Sequence, residues 1–394
     1  MSTRPLPSLR GQLAGLTLAR LFMNTGLRMV YPFLPALARG LGVPLTAVYQ
    51  LVTIRNAAGV LSPLFAPLSE RYGRKPVIVA AMLLFAGGCL LPLIWPTLWG
   101  LGLALTVIAV AKVIYDPAMQ AYVGDRVPYA QRGRALAATE LSWAGALLLG
   151  APAVGLAIQA AGWRAPFVWL GVLGLGAVVV LQRALPRLPG GAGHAVTLRR
   201  TAAVLRAHPI IWAAVVYAFL LMGANEVLFI VYGDWMEASF ALSLGSLGLA
   251  SGVIGGAEIV GELLAGTSVD RFGKRPVILT TGLLNALAYL AMPHVSTELA
   301  AALLALFAVF LTFEITVVGG IPLLTELVPG ARGVVMTAVL AAGTLGRAAG
   351  SWLGPQIWQR AGFPGSGAVA AVGTLLAMAV LLRWLREAPG EDSY

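Results

Sequence analysis

The sequence predicts an all-α integral membrane protein of twelve transmembrane helices in two pseudo-symmetric six-helix bundles, with both termini cytoplasmic. Three observations lead there. Hydrophobic residues fill 59% of the 394 positions and charged residues only 11%, whereas soluble domains hold about 45–50% and 25%. Apolar runs long enough to cross a bilayer recur along the whole chain. A nine-residue segment returns 200 positions later. A mean hydropathy of +0.84 excludes a long soluble enzyme, a fibrous protein and a disordered one. Twelve spans consume roughly 240 residues before loops are counted, so no soluble catalytic domain fits in the remainder.

The apolar runs lie at 12–38, 45–69, 76–95, 97–124, 133–161, 163–186, 209–236, 243–269, 276–293, 298–325, 333–360 and 366–385. Charged, proline-rich or glycine-rich breaks separate them. Several exceed the length a span needs, so tilt or extension beyond the bilayer is expected. The first run is too long for a signal h-region and contains Arg20, Asn24 and Arg28. It reads as a retained helix rather than a cleaved leader.

Charge fixes the expected orientation. With both termini inside, nineteen of the basic residues fall in cytoplasmic loops and tails, and only Arg39, Arg164 and Arg360 fall outside. Short loops with such a bias follow the positive-inside rule, so the net charge of +11 points to topology rather than to nucleic acid. The bundles are expected over 1–186 and 209–394, joined by a basic cytoplasmic linker at 187–208. That linker carries Pro189, Gly190, Gly191, Gly193, His194, Arg199, Arg200, Arg206 and His208. The lone Cys89 rules out an intramolecular disulfide, and the dispersed His194, His208 and His294 offer no metal site.

The repeat marks a duplication. Glu70-Arg71-Tyr72-Gly73-Arg74-Lys75-Pro76-Val77-Ile78 recurs as Asp270-Arg271-Phe272-Gly273-Lys274-Arg275-Pro276-Val277-Ile278, and Arg132-Gly133 recurs as Arg332-Gly333. Glycine permits a tight turn, and Pro76 and Pro276 suit the first turn of the following helix. The acid can cap that turn or pair with a base that moves away when the protein changes state. Glu70, Arg71, Gly73, Arg74, Arg132, Asp270, Arg271, Gly273, Lys274 and Arg332 are therefore candidates for conformational gating.

Ionisable residues at membrane depth are costly and mark pathways or relays. Here they are Arg20, Arg28, Arg55, Lys112, Asp116, Glu140, Glu226, Glu258, Glu262, Glu314 and Arg347. At about 1.5 Å per residue, Asp116 lies roughly 13 Å and Arg28 roughly 15 Å from the ends of their helices, near the midplane. Arg20, Asn24, Arg28 and Tyr31 share one stripe, and Lys112, Asp116 and Gln120 another. Proton coupling needs a carboxyl group that alternates between an apolar environment and a basic neighbour. Asp116 is the first candidate, then Glu226 and Glu314, with Glu140 behind them. Glu258 and Glu262 share a helix face, and one of them is expected to pair structurally with Arg347.

The duplicated loop, Ala66-x-x-x-Glu70-Arg71-x-Gly73-Arg74-Lys75 and Gly266-x-x-x-Asp270-Arg271-x-Gly273-Lys274-Arg275, resembles the signature loop of the major facilitator superfamily, G-x-x-x-D-R-x-G-R-R. Ala66 and Glu70 are departures from it. Tyr31-Pro32-Phe33-Leu34-Pro35-Ala36-Leu37-Ala38 looks like the end of helix one in twelve-helix drug:proton antiporters of that superfamily. Gly145 to Gly155 is similar to their helix-five motif G-x-x-x-G-P-x-x-G-G, with Ala151 inserted before Pro152 and one glycine missing. Their helix-four arginine is replaced by Lys112 in Ala111-Lys112-Val113-Ile114-Tyr115-Asp116.

The resemblance implies two inverted 3+3 repeats with a midplane site between them, worked by alternating access. It implies that the first and fourth helices of each half line the cavity. Substrate contacts are then expected from Asn24, Arg28, Tyr31, Lys112, Gln120 and Asn225, and the methionine and aromatic side chains Met119, Trp143, Met222, Phe229 and Phe310 add a pliable surface suited to bulky apolar ligands. The expected function is proton-coupled export of amphipathic or lipophilic compounds across the cytoplasmic (inner) membrane by a monomer. Two alternatives use the intramembrane arginines: a lysolipid or glycolipid exporter, and an organic-anion transporter. A non-transporting receptor is the remote alternative. No phosphate loop, nucleophile elbow or metal set is visible, so no enzyme and no ATP are expected, and the proton gradient is the energy source.

Overall fold

The computed structural model describes residues 8–65, 68–186 and 198–385. Ala66 of the first loop, the linker residues 187–197 with Pro189, Gly190, Gly191, Gly193 and His194, and the tail beyond 385 lie outside the described residues. Among the described residues there is no strand.

Seven helices and several short turns open the chain. They are α1 Leu9–Arg28, α2 Val30–Leu41, α3 Leu45–Ala58, α4 Ser62–Phe65, α5 Leu68–Tyr72, α6 Arg74–Ile94 and α7 Leu98–Arg126. Then come α8 Tyr129–Gly145, α9 Ala151–Ala161, α10 Ala165–Ala184 and α11 Leu198–Ala207. The rest are α12 Ile210–Phe229, α13 Tyr232–Phe240, α14 Leu244–Phe272, α15 Lys274–Val295, α16 Leu299–Thr325 and α17 Arg332–Trp384.

Among the described residues nine helical stretches are long and apolar enough to cross a membrane. The protein is an all-α membrane protein. One of the nine, Pro329–Trp384, bends at Gly362, whose φ of 62° and ψ of −165° are not helical. That break stands between the apolar runs 333–360 and 366–385. The first two apolar runs fall outside the nine. Gln12, Arg20, Asn24 and Arg28 interrupt the first, and a 3-10 turn at Gly59–Leu61 shortens the second.

Local chemistry sets the boundaries. Thr97 caps α7 by accepting from the Gly100 N–H at 3.2 Å. Gly73 and Gly273 precede α6 and α15 at φ 84°, a region closed to most side chains. The two turns share a second contact. Lys75 Nζ donates to the carbonyls of Gln182 and Leu185 at 2.7 and 2.6 Å, and Arg275 Nη2 donates to that of Leu382 at 2.5 Å. Cations there satisfy carbonyls that a helix C-terminus leaves open.

The described residues fall into two compact units. One is drawn from 1–195 with 242–255, the other from 196–241 with 256–394. In the first, α1 breaks at Met29, and Gly26 faces Phe85 of α6 and Ile108 of α7. A π-helical turn, Ala146–Gly150, joins α8 to α9 just ahead of Ala151 and Pro152, and Gly150 faces Thr25 of α1. Such bulges open the backbone where a proline and close helix contact compete. In the second, α12 packs along α17 through small residues. A methyl group on Gly350 would stand 2.5 Å from the Gly223 carbonyl oxygen and 2.7 Å from Glu226 Cβ.

Candidate functional site

The polar content of the first unit gathers where α1, α7 and α8 meet. Arg20 of α1 is 4% exposed. Its Nε meets Asp116 Oδ1 of α7 at 2.9 Å, and its Nη1 meets Glu140 Oε2 of α8 at 2.9 Å. The same Nη1 donates to the Thr139 carbonyl at 3.0 Å. Lys112, one turn before Asp116, places Nζ 2.6 Å from Asp116 Oδ2. Two cations and two carboxylates thus form one chain across three helices. Arg20 is the buried member, and Lys112 keeps 13% of its side-chain surface. The Asp116 and Glu140 side chains keep 20% and 38% of their surface. Charges removed from water hold their place only when paired and hydrogen-bonded, as these are.

The α1 stripe continues along α8. Asn24 Nδ2 donates to Ser142 Oγ at 3.1 Å, and Ser142 Oγ to the Thr139 carbonyl at 2.6 Å. Arg28 stacks over the Trp143 ring at 4.2 Å and donates to the Trp143 carbonyl at 2.9 Å. Lys112 approaches the same ring at 5.5 Å. Arg55 of α3 donates to Tyr31 Oη at 2.8 Å, to the Leu27 carbonyl at 2.7 Å and to Asn56 Oδ1 at 2.9 Å.

Of the expected residues, Asn24, Arg28, Tyr31, Lys112, Asp116, Glu140 and Trp143 therefore belong to one connected region of the first unit. Met119 is buried in its core, and Gln120 is exposed on α7. Arg20 and Lys112 hold Asp116, while Arg28 lies against Trp143. The sequence reading named Arg20 and Arg55 only among the intramembrane cations, and it left out Thr139 and Ser142 of α8, which contact Arg20 and Asn24. Arg20 carries a detectable signal, since it stands four residues before Asn24 on the same stripe.

The second unit is organised differently. Glu226 of α12 is fully buried, and Arg347 Nη1 of α17 reaches its Oε2 at 3.1 Å. Asn225 Nδ2 donates to Tyr289 Oη at 2.9 Å. Phe229 stacks on Tyr232 at 5.2 Å and meets Phe310 edge-on at 5.3 Å. Met222 lies beside Gly343, and Glu314 of α16 beside Gly261 of α14. Glu258 and Glu262 lie on α14, and Glu258 is buried. The contact missed in sequence is Trp358 Nε1 to Asp234 Oδ2 at 2.8 Å.

The gating candidates sit near helix ends. Arg74 Nε meets Asp125 Oδ2 at 3.0 Å, and its Nη1 donates to Ser69 Oγ at 3.1 Å. Arg132 donates to the Val127 carbonyl at 3.0 Å, and Arg332 meets Glu326 at 2.8 Å. Arg71 and Arg271 each lie over the following ring, Tyr72 and Phe272, at 5.3 and 5.2 Å. Glu70 is half-buried, Asp270 is exposed, and Lys274 opens α15.

A family model described as Major Facilitator Superfamily matches residues 16–233 and 214–393. Among solved structures, that of a D-xylose–proton symporter is 16% identical, with TM-score 0.77 over 97% of this chain and 99% of the other. The inward-open xylose transporter XylE from E. coli is 17% identical, with TM-score 0.78 over 96% and 97%. A bacterial homologue of the human lysosomal transporter Spinster, inward-facing and occupied, is 15% identical, with TM-score 0.79 over 96% and 98%. At these identities the likeness is one of fold.

Proposed function

The chain belongs to the major facilitator superfamily, and from that premise we propose that it exports amphipathic or lipophilic compounds in exchange for protons. Membership makes it a secondary transporter of small molecules in a lipid bilayer and not an enzyme. The finer reading rests on one observation, the Arg20–Asp116–Lys112–Glu140 chain. Its most accessible member is the Glu140 carboxylate, followed by Asp116, and its buried member is Arg20. A proton arriving from the exposed side meets Glu140 or Asp116 first and weakens the attraction that binds α1 to α7 and α8. Proton uptake is thereby tied to helix movement, which is what alternating access requires.

In this reading Asp116 and Glu140 carry the coupling, with Glu226 and Glu314 as the second unit's candidates. Asn24, Arg28, Tyr31, Lys112, Trp143, Met222, Asn225, Phe229 and Phe310 contribute to substrate binding. The duplicated loops gate the change of state. Two bundles over 1–186 and 209–394, twelve spans, cytoplasmic termini, a monomer in the cytoplasmic membrane and a proton gradient in place of ATP complete the proposal.

Proteoliposomes loaded with a pH-sensitive dye test it. Ethidium should drive proton movement in the wild type. That movement should vanish in Asp116→Asn and fall in Glu140→Gln. Unchanged flux in both variants overturns the assignment to this site. No proton movement in the wild type with cations, lysolipids or organic anions overturns proton coupling itself.

A second reading is favoured by Arg55. It is 2% exposed, and the Leu27 carbonyl, Tyr31 and Asn56 that it contacts are all neutral. A buried cation among neutral groups suits an anionic headgroup, as in lysolipid or glycolipid export or organic-anion transport. Loss of anionic substrates alone in Arg55→Gln separates this reading from the first.

A further inference from the structure

A groove of about 540 Å³ opens on the flank of the second unit. Ile210, Trp212, Ala213 and Val216 of α12 form one wall, and Val380 and Trp384 of α17 the other. The lining is apolar, and both tryptophans are exposed. The rim is basic. Arg206 and His208 are exposed just before α12, and Trp212 Nε1 ties that segment to the wall by donating to the Leu205 carbonyl at 3.2 Å. On the other side the Arg383 guanidinium covers the Trp384 ring at 5.4 Å. Arg275 brings a third cation to the same helix end through the Leu382 carbonyl. Among the described residues no acidic side chain pairs with Arg206 or Arg383.

We propose that this groove binds an anionic phospholipid of the surrounding bilayer. Its acyl chain lies along Trp212, Val216 and Val380, and its phosphate sits at the rim made by Arg206 and Arg383. The volume falls within the range of built ligand clefts. Tryptophans at the edge of an apolar wall occupy the level of the headgroups. Basic side chains beside such a wall favour an anionic headgroup over a zwitterionic one of the same chain length. A free phosphate would meet only the exposed rim cations, whereas a phospholipid adds burial of its acyl chain against the apolar wall. The site is separate from the charge chain of the first unit, so it stands or falls independently of the transport reading.

Native mass spectrometry of the detergent-purified full chain tests it. Phosphatidylglycerol and phosphatidylcholine with identical acyl chains are titrated in parallel. The wild type should retain phosphatidylglycerol in preference. Arg206→Gln together with Arg383→Gln should reduce that preference by about thirtyfold, at about fivefold per surface arginine. Val216→Trp, which fills the groove, should lose both lipids while helix content stays unchanged. Equal retention of the two lipids by the wild type overturns the proposal. So does a preference that survives the double arginine variant, or binding that survives Val216→Trp.

Discussion

Gly73 and Gly273 hold the same backbone conformation, φ 84° with ψ 159° and 153°, at the entrance to helices that begin 200 residues apart. Only glycine enters this region at low cost, and any other residue there is strained by about 1–3 kcal/mol. Gly73→Ala and Gly273→Ala should each lower the melting temperature of the detergent-purified protein. Gly133→Ala is the control. That glycine is helical with open space around it, and alanine there should stabilise by about 0.5–1 kcal/mol. Equal melting temperatures for all three variants would remove the argument from backbone strain.

Asp116 is the hinge of the charge chain, because both cations contact it. Asp116→Ala leaves Arg20 and Lys112 beside each other in a largely buried space, at a cost of about 3–5 kcal/mol. Lys112→Met in that background should recover part of the loss, since one uncompensated cation disappears. A thermal-stability series over the two single variants and the double variant checks this. Additive losses would show that the two side chains do not act on one another.

Gly350 lets α17 lie against α12. Gly350→Ala places a methyl group against the Gly223 carbonyl and Glu226 Cβ and should destabilise by about 1–3 kcal/mol. The same change pushes apart the helices that bear Arg347 and Glu226. Circular dichroism melts of Gly350→Ala against the open-position variant Gly256→Ala would separate overpacking from a general effect of alanine.

Cys89 is fully buried in α6. A membrane-permeant maleimide should therefore leave the folded protein unlabelled and react only as it unfolds. The labelling midpoint should follow the variants above in the same order as their melting temperatures. Rapid labelling at low temperature would contradict the packing of α6. The residue also gives a simple topology test. In a Cys89→Ala background, a cysteine at Val43 should react with an impermeant reagent from outside, and one at Tyr129 should not.

Much of this was legible in the sequence because the bilayer imposes its own arithmetic. Apolar runs and their breaks follow from the length of a span, so the bend at Gly362 was already marked by the gap between the last two runs. The duplicated loop was visible because a backbone turn that demands glycine cannot drift. Pairing was much harder to read. Stripe spacing placed Arg20, Asn24 and Arg28 on one face but not opposite any particular helix. Only packing shows that Arg20 meets Asp116 and Glu140 while Arg28 lies on Trp143. Helix breaks inside apolar runs were equally hidden. The π-helical turn before Pro152 lies where Gly150 closes on Thr25 of α1, a contact that periodicity does not report.

The charge chain has an electrical consequence. With both acids ionised, Arg20, Lys112, Asp116 and Glu140 sum to zero. A neutral group of side chains can move through the field across the membrane without electrical work. One added proton makes the group a unit charge, worth about 2.3 kcal/mol per 100 mV if carried across the whole field. Voltage would then act on the protonated half of the cycle and leave the other half untouched.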